Sequence, residues 1–363
     1  MARGTGCEPT QGIGGLRGGL IATGIQTLPS GPSLMASHVI VGAANVAQHV
    51  PEPEIVSVLG GGGFLGSAIA DRLLNAGHRV RIFERPRIQP YRDFAETEGV
   101  EWIEGDFGHL PDMRLALEGA TAVIHLVCTT RPKSSNDEPI FDVQSNVIAT
   151  LQLLEEMRQL GIRKMLFSSS GGTVYGPPIR TPIDEDHPTN PTTSYGITKL
   201  TIEKYLQLEQ QLHGLKPVIL RVANPYGERQ RVEYAQGVVA AFLKRTLAGE
   251  PIEIWGDGSV IRDYLHVEDV AEAFATALHY EGDATVFNIG SGAGTSLNEL
   301  VRILSKQLGQ ELEVTYKPAR DFDVKSNVLC CKRAQHELHW QANISMAAGL
   351  ERTLAWLRHQ EQA

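Results

Sequence analysis

The stretch Ile55-Val56-Ser57-Val58-Leu59-Gly60-Gly61-Gly62-Gly63-Phe64-Leu65-Gly66-Ser67 leaves this chain few choices of fold. Its β-branched apolar start reads as a buried parallel strand, the glycines permit a tight turn with close backbone approach, and Ala68 to Leu74 continue as a helix. A turn of this kind gathers unpaired N–H groups at the positive end of a helix dipole, which suits a pyrophosphate. Gly60, Gly63 and Gly66 stand in a G-x-x-G-x-x-G spacing, which departs from the G-x-G-x-x-G dinucleotide fingerprint. A glycine loop closing a strand on a helix need bind nothing. With the flanking strand and helix, and with Glu84 about 20 positions on, ending the strand Arg79–Phe83, it points to a dinucleotide. A carboxylate at Glu84 suits both adenosine ribose hydroxyls and repels a 2′-phosphate, favouring NAD over NADP, whereas Arg85 and Arg87 pull toward the phosphate.

From Ile55 onward strands and helices alternate. Val100–Asp106, Thr121–Leu126 and Lys164–Ser168 read as strands, and Asp112 is placed to cap a helix ending near Gly119. Ile140, Val143, Val147, Leu151, Leu154 and Met157 fall at helical spacing, and a long amphipathic helix runs from Ser194 to about His213. Right-handed crossovers then give an α/β fold, a doubly wound parallel Rossmann sheet with a smaller C-terminal substrate-binding lobe. The expected division is a flexible or artefactual leader over 1–53, a dinucleotide domain over 54–227 and mainly a substrate lobe over 228–363, from which the chain returns to the first domain. Two terminal helices close the chain.

Several classes of partner are disfavoured. The formal net charge of -9 argues against nucleic acid, and no apolar run approaches the ~18 residues that cross a bilayer, so no membrane partner is expected. The leader, rich in Gly, Ala, Ser and Pro, lacks the pattern of a signal peptide. Cys7, Cys128, Cys330 and Cys331 show no C-x-x-C spacing and form no metal arrangement with the histidines, so reduced thiols, a cytoplasmic location and no metal are expected.

Ser168-Ser169-Ser170-Gly171-Gly172-Thr173-Val174-Tyr175-Gly176 leaves its strand at the sheet edge where ligands belong. Taken alone it is a Ser/Gly loop with hydroxyls in turns. Tyr195 and Lys199, four apart on a helix, share a face. Chance produces many such pairs, but much less often after a dinucleotide turn and a serine-rich strand end.

These motifs, with Gly105-Asp106, Asn146-Val147, Asn224-Pro225, Arg262-Asp263-Tyr264 and Phe287-Asn288-Ile289-Gly290, resemble the extended short-chain dehydrogenase/reductase superfamily. Within it they are most similar to the NAD-dependent nucleotide-sugar epimerase/dehydratase family, from Ile55 to the C-terminus. The resemblance implies a cofactor set of Gly60, Gly63, Phe64, Leu65 and Gly66, then Glu84 with Arg85, and Asp106 and Phe107 against the adenine. Leu126, Val127, Cys128 and Asn146 line the cofactor, and Lys199 bonds its nicotinamide ribose. Asn224, Arg229, Arg262 and Arg320 become ligands of a nucleotide sugar, the arginines meeting its diphosphate. For the catalytic hydroxyl, counting from the strand gives Ser170 and counting back from Gly176 gives Gly171; Ser169 and Thr173 stand in reserve.

The implied reaction is NAD-dependent epimerisation, at C4 of a UDP-hexose such as UDP-glucose, UDP-galactose or UDP-N-acetylglucosamine. Tyr195 as phenolate takes a hydroxyl proton, the carbon-bound hydrogen leaves as hydride, and the keto sugar takes it back on the other face. Lowering the tyrosine from near 10 by about 3 units needs ~4 kcal/mol, which Lys199 and the positive nicotinamide are expected to supply. Related rivals are a dehydratase, disfavoured because Gly171-Gly172 stand where an Asp-Glu pair would follow the hydroxyl, a decarboxylase and an NADP-dependent reductase. A non-catalytic dinucleotide sensor would be expected to lose Tyr195 and Lys199. Family members pair through the helix bearing Tyr195 and the one before it, which implies a homodimer.

Overall fold

Short apolar runs ended by turns become parallel strands here because each intervening helix carries the chain back across a sheet face. The computed structural model describes residues 55–231, 237–319 and 324–362. The first half contains β1 (Ile55–Leu59), α1 (Phe64–Asn75), β2 (Arg79–Glu84), β3 (Val100–Glu104), α2 (Leu110–Leu117), β4 (Ala122–His125), α3 (Pro132–Asp137) and α4 (Pro139–Asp142). A π-helical segment, Val143–Ile148, leads into α5 (Ala149–Gln159), followed by β5 (Lys164–Ser170), α6 (Ser194–His213), β6 (Lys216–Val222) and β7 (Asn224–Tyr226). Then come α7 (Val238–Leu247), β8 (Ile252–Trp255), β9 (Ile261–His266), α8 (Val267–Leu278), β10 (Val286–Ile289), β11 (Gly294–Ser296), α9 (Leu297–Leu308), β12 (Val314–Lys317), β13 (Ser326–Asn327), α10 (Lys332–Glu337) and α11 (Met346–Gln362).

The central sheet has the order β3-β2-β1-β4-β5-β6-β10, with every pairing parallel, as a doubly wound Rossmann sheet requires. Its order reverses between β1 and β4, which opens a crevice at their carboxyl ends. One face is covered by Ile69 and Leu73 of α1 and Val270 and Phe274 of α8. The other is covered by Met113 and Leu117 of α2, Leu153 and Met157 of α5, and Ile202 and Leu206 of α6. Each such side chain, fully withdrawn from water, contributes roughly 1.5–3 kcal/mol before chain entropy is counted. A third cluster joins Phe242 and Leu243 of α7, Ile252 and Ile254 of β8, Leu300 and Leu304 of α9, and Leu350 and Leu354 of α11.

Four sequence expectations need correction or placing. Asp112 is not a cap: His109 precedes α2, and the Asp112 carboxylate turns back from the first turn to accept the Asp106 N–H at 2.9 Å. The helix over 140–160 is interrupted by the π segment, whose extra residue per turn rotates Asn146 inward. Among the described residues three helices follow β11, not two, since α10 is a short separate turn against β10. The leader over 1–53 lies outside the described residues.

Candidate active site

The crevice is a cleft of about 1150 Å³. Its floor begins at the glycine turn, where Gly60 has φ +84 and donates its N–H to Phe83 O at 2.8 Å. A Cβ at Gly66 would lie 2.3 Å from Gly60 O, so only glycine lets α1 start this close behind the turn. Gly60 and Gly63 line the cleft, whereas Phe64, Leu65 and Gly66 form the first turn of α1 behind it. That turn carries no acidic residue and no side-chain cap, so its leading N–H groups are left for an anion.

Glu84 ends β2 beside the turn: a Cβ at Gly62 would lie 3.3 Å from its Oε2. Burial pushes its carboxyl up, against the Arg85 N–H that donates to Oε1 at 3.2 Å. Arg85 also lines the cleft, while Arg87 is exposed and is not among the lining residues. Asp106, Phe107, Leu126, Val127 and Cys128 complete this wall. Asn146 does not line it. It is buried behind the loop after β4, where its Oδ1 accepts the Thr129 N–H at 3.0 Å and its Nδ2 donates to Asp142 Oδ1 at 3.0 Å. Asn146 therefore shapes the cofactor wall through the backbone.

Tyr195 reaches the cleft from the first turn of α6, which starts at the Thr193 cap and is tied to α3 by its own N–H donating to Ser135 Oγ at 2.9 Å. Gly196 lets this turn approach closely, since a Cβ there would lie 2.9 Å from Thr173 O. Ser170, Gly172 and Thr173 line the cleft with Tyr195. Gly171 faces away, its missing Cβ 2.5 Å from Leu329 Cδ1, and Ser169 Oγ donates to Glu203 Oε1 at 2.5 Å. Of the hydroxyls considered from sequence, Ser170 remains at the cleft, whereas Thr173 lines it with its Oγ1 buried and unpartnered among the described residues.

Lys199 is buried behind the tyrosine. Its Nζ donates to Ser168 O at 2.8 Å and sits 4.7 Å from the Phe167 ring centre and 5.8 Å from that of Tyr195. Burial lowers its pKa, opposed by Cys128, Asp142 and Glu203. The Tyr195 hydroxyl moves opposite to expectation: burial, then Cys128 and Asp142, push it well above the ordinary phenol range. In the protein alone, the loss of water dominates this shift.

The substrate side is less uniform. Asn224 lines the cleft and also a smaller cavity of about 300 Å³, shared with Phe242, Trp255, Arg262 and Tyr264. Arg262 donates to Val324 O at 2.6 Å and to Ile261 O at 2.9 Å. Arg229 lies elsewhere, contrary to the expected diphosphate contact: its Nη2 pairs with Asp71 Oδ2 at 2.7 Å, in a separate cavity between α1 and α8. Arg320 lies outside the described residues.

Residues 56–290 match the model of the NAD dependent epimerase/dehydratase family. The chain belongs to that family. A family member named UDP-glucose 4-epimerase, from Mycolicibacterium smegmatis, is 36% identical over 84% of this chain and 99% of its own. The crystal structure of UDP-glucose 4-epimerase with UDP-glucose from Thermotoga maritima is 35% identical, with a TM-score of 0.80 over 85% of this chain and 99% of that one. The Thermus thermophilus UDP-glucose 4-epimerase in complex with NAD is 32% identical, with a TM-score of 0.76 over 84% and 99%.

Sequence reading missed two buried carboxylates beside Tyr195 and Lys199. Glu203, one turn beyond Lys199, pairs with Arg221 at 2.6 Å and takes the Ser169 hydroxyl. Asp142 accepts from Ser194 and Thr198, which flank Tyr195 and Lys199. The spacing of four from Lys199 to Glu203 and from Asp142 to Asn146 was the available signal.

Proposed function

We propose that this protein is an NAD-dependent epimerase acting at C4 of a UDP-hexose. One observation carries the reading: Tyr195, Ser170 and Thr173 share a cleft with the glycine turn and Glu84, and Asn224 joins that cleft to a second cavity holding Arg262 and Trp255. The two spaces suit a dinucleotide and a nucleotide sugar that meet at the tyrosine. The residues present fit NAD, through the free N–H groups of α1 and the half-buried Glu84 carboxylate, with Arg87 turned outward. When bound, NAD supplies a reversible acceptor for the hydrogen on the sugar carbon.

In this reading Ser170 donates its hydroxyl proton to the sugar oxygen and holds it, while the Tyr195 oxygen takes the proton that leaves and later returns it. Lys199, fixed by Ser168 O, supplies positive charge behind the tyrosine. Asn224 positions the sugar between the two cavities, and Arg262 meets the diphosphate.

We also propose a homodimer. Ile197, Tyr205, Leu208 and Leu212 are exposed along one stripe of α6, and Ile140, Val143 and Ile148 are exposed just before α5. A second copy would cover them. Among the described residues no helix is long and apolar enough to cross a membrane, and Cys128, Cys330 and Cys331 are unpaired, which favours a cytoplasmic setting. Proton NMR of the purified protein with UDP-glucose, UDP-N-acetylglucosamine or UDP-glucuronate, without added cofactor, tests the activity. The C4 epimer is expected with wild type and not with Tyr195→Phe; no epimer from any of the three, even with NAD added, would overturn these substrates.

A further inference from the structure

Asp142 is fully buried at the end of α4, and no lysine, arginine or histidine pairs with it among the described residues. Four neutral groups converge on it instead. Ser194 Oγ donates to Oδ2 at 2.7 Å and Thr198 Oγ1 to the same oxygen at 2.8 Å. Asn146 Nδ2 donates to Oδ1 at 3.0 Å, and Thr130 Oγ1 donates to Oδ1 as well. The orientation of Asn146 is fixed independently, because its Oδ1 takes the Thr129 N–H at 3.0 Å. A carboxylate can accept all four of these hydrogen bonds at once.

Its partners are not scattered. Ser194 directly precedes Tyr195, Thr198 directly precedes Lys199, and Thr130 belongs to the loop whose Val127 and Cys128 form the cofactor wall. A single buried group thus joins α4, the π segment, that loop and the first turn of α6. Burying a charge with only neutral donors is costly.

We propose that Asp142 is the positioning residue of the catalytic pair: through Ser194 and Thr198 it fixes the first turn of α6, and its carboxylate supplies the negative charge that Tyr195 and Lys199 face. This rests on Tyr195 being the base. The other charged or titratable groups around the pair are few. Cys128 faces both from the loop after β4, His125 of β4 faces Lys199 and is lowered by it, and Glu203 acts on Lys199 from α6 while paired with Arg221 of β6. Arg131 and Asp137, at the ends of α3, line the cleft mouth. Asp142 opposes ionisation of Tyr195 and favours the ammonium of Lys199, so it sets both ionisations in the same direction.

The experiment compares full-length wild type, Asp142→Asn and the double variant Ser194→Ala/Thr198→Val, over pH 6–10, on the UDP-sugar that wild type epimerises. Asp142→Asn is expected to lower kcat about ten-fold or more with KM within about two-fold, because the tyrosine is misplaced but the sugar sites are untouched. Both limbs of its kcat profile should move to lower pH by about half a unit or more, since Tyr195 and Lys199 each lose a neighbouring negative charge. The double variant keeps the charge and loses two links, so its kcat falls while its limbs stay. Limbs that stay in place in a folded Asp142→Asn protein, or a double variant with wild-type kcat, would overturn the proposal; if Asp142→Asn fails to fold, the double variant decides. Tyr195→Phe separates the two ideas. Activity surviving in it sinks the functional reading, whereas its loss with an unaltered Asp142→Asn profile sinks only this inference.

Discussion

The two walls of the active-site cleft are built differently. The cofactor wall is made from strand ends and the turns directly after them: Gly60 and Gly63 follow β1, Glu84 ends β2, Asp106 follows β3 and Leu126 follows β4. The sheet fixes all of these to one edge. The proposed sugar side combines Asn224 of β7 at the cleft with β9 in the second cavity, and the arginines expected there are not together: Arg262 lines the second cavity, Arg229 pairs with Asp71, and Arg320 lies outside the described residues. Positions that a sheet edge imposes are safe to carry from a motif. Long side chains on loops are not, because any nearby carboxylate can claim them.

The largest effect expected from breaking this pattern is at the glycine turn. Gly66→Ala would force a Cβ to within 2.3 Å of Gly60 O and 2.6 Å of Gly61 Cα, both backbone atoms that cannot rotate away. We expect NAD affinity by calorimetry to fall about 100-fold, roughly 2.7 kcal/mol. On the sugar wall, Arg262→Ala should raise KM about ten-fold or more with little change in bound NAD, as the loss of one charge-assisted phosphate contact implies. Arg229→Ala sharpens the contrast: KM should stay within about two-fold, and the loss of its partly exposed Asp71 pair should cost under about 1 kcal/mol in denaturant unfolding. A KM rise matching that of Arg262→Ala would show that Arg229 leaves Asp71 for the substrate.

A smaller effect concerns the floor under the cofactor wall. His125 is buried between Phe107 and Phe167, with Nε2 3.0 Å from Thr150 Oγ1; burial, then Lys199, lower its pKa to about 3. The unfolded chain binds a proton near pH 6.5 that the folded protein refuses, so this contribution is complete above that value. It is lost as pH falls from about 6.5 toward 3. Stability measured over pH 4.5–6.5 should therefore fall less steeply in His125→Gln, by about one proton. An unchanged slope would mean that His125 titrates normally in the fold.

Much of this was readable from the chain, for identifiable reasons. The strand, turn and helix around Gly60 are local, and Tyr195 and Lys199 share a helix face by periodicity alone. The serine loop was ambiguous because two counts disagreed by one residue. Only the packing of Gly171 against Leu329 and of Ser169 against Glu203 shows which hydroxyls reach the cleft. Asn146 was read as lining the cofactor, but a π segment turns it behind the wall. Asp142 carried one local mark, Asn146 four residues on, but its other partners come from a loop before it and a helix far after it. The tyrosine's upward shift was likewise hidden, because spacing reports the neighbouring lysine and not the loss of water.

The most direct test of the account follows the hydrogen at the reacting carbon. UDP-glucose deuterated at C4 would be incubated with the wild-type protein and no added cofactor, and the product examined by NMR and mass spectrometry. Epimerisation within one site predicts UDP-galactose that keeps its deuterium at C4, with no net reduced cofactor and no product from Tyr195→Phe. Deuterium lost to water, or an epimer formed equally well by Tyr195→Phe, would contradict it.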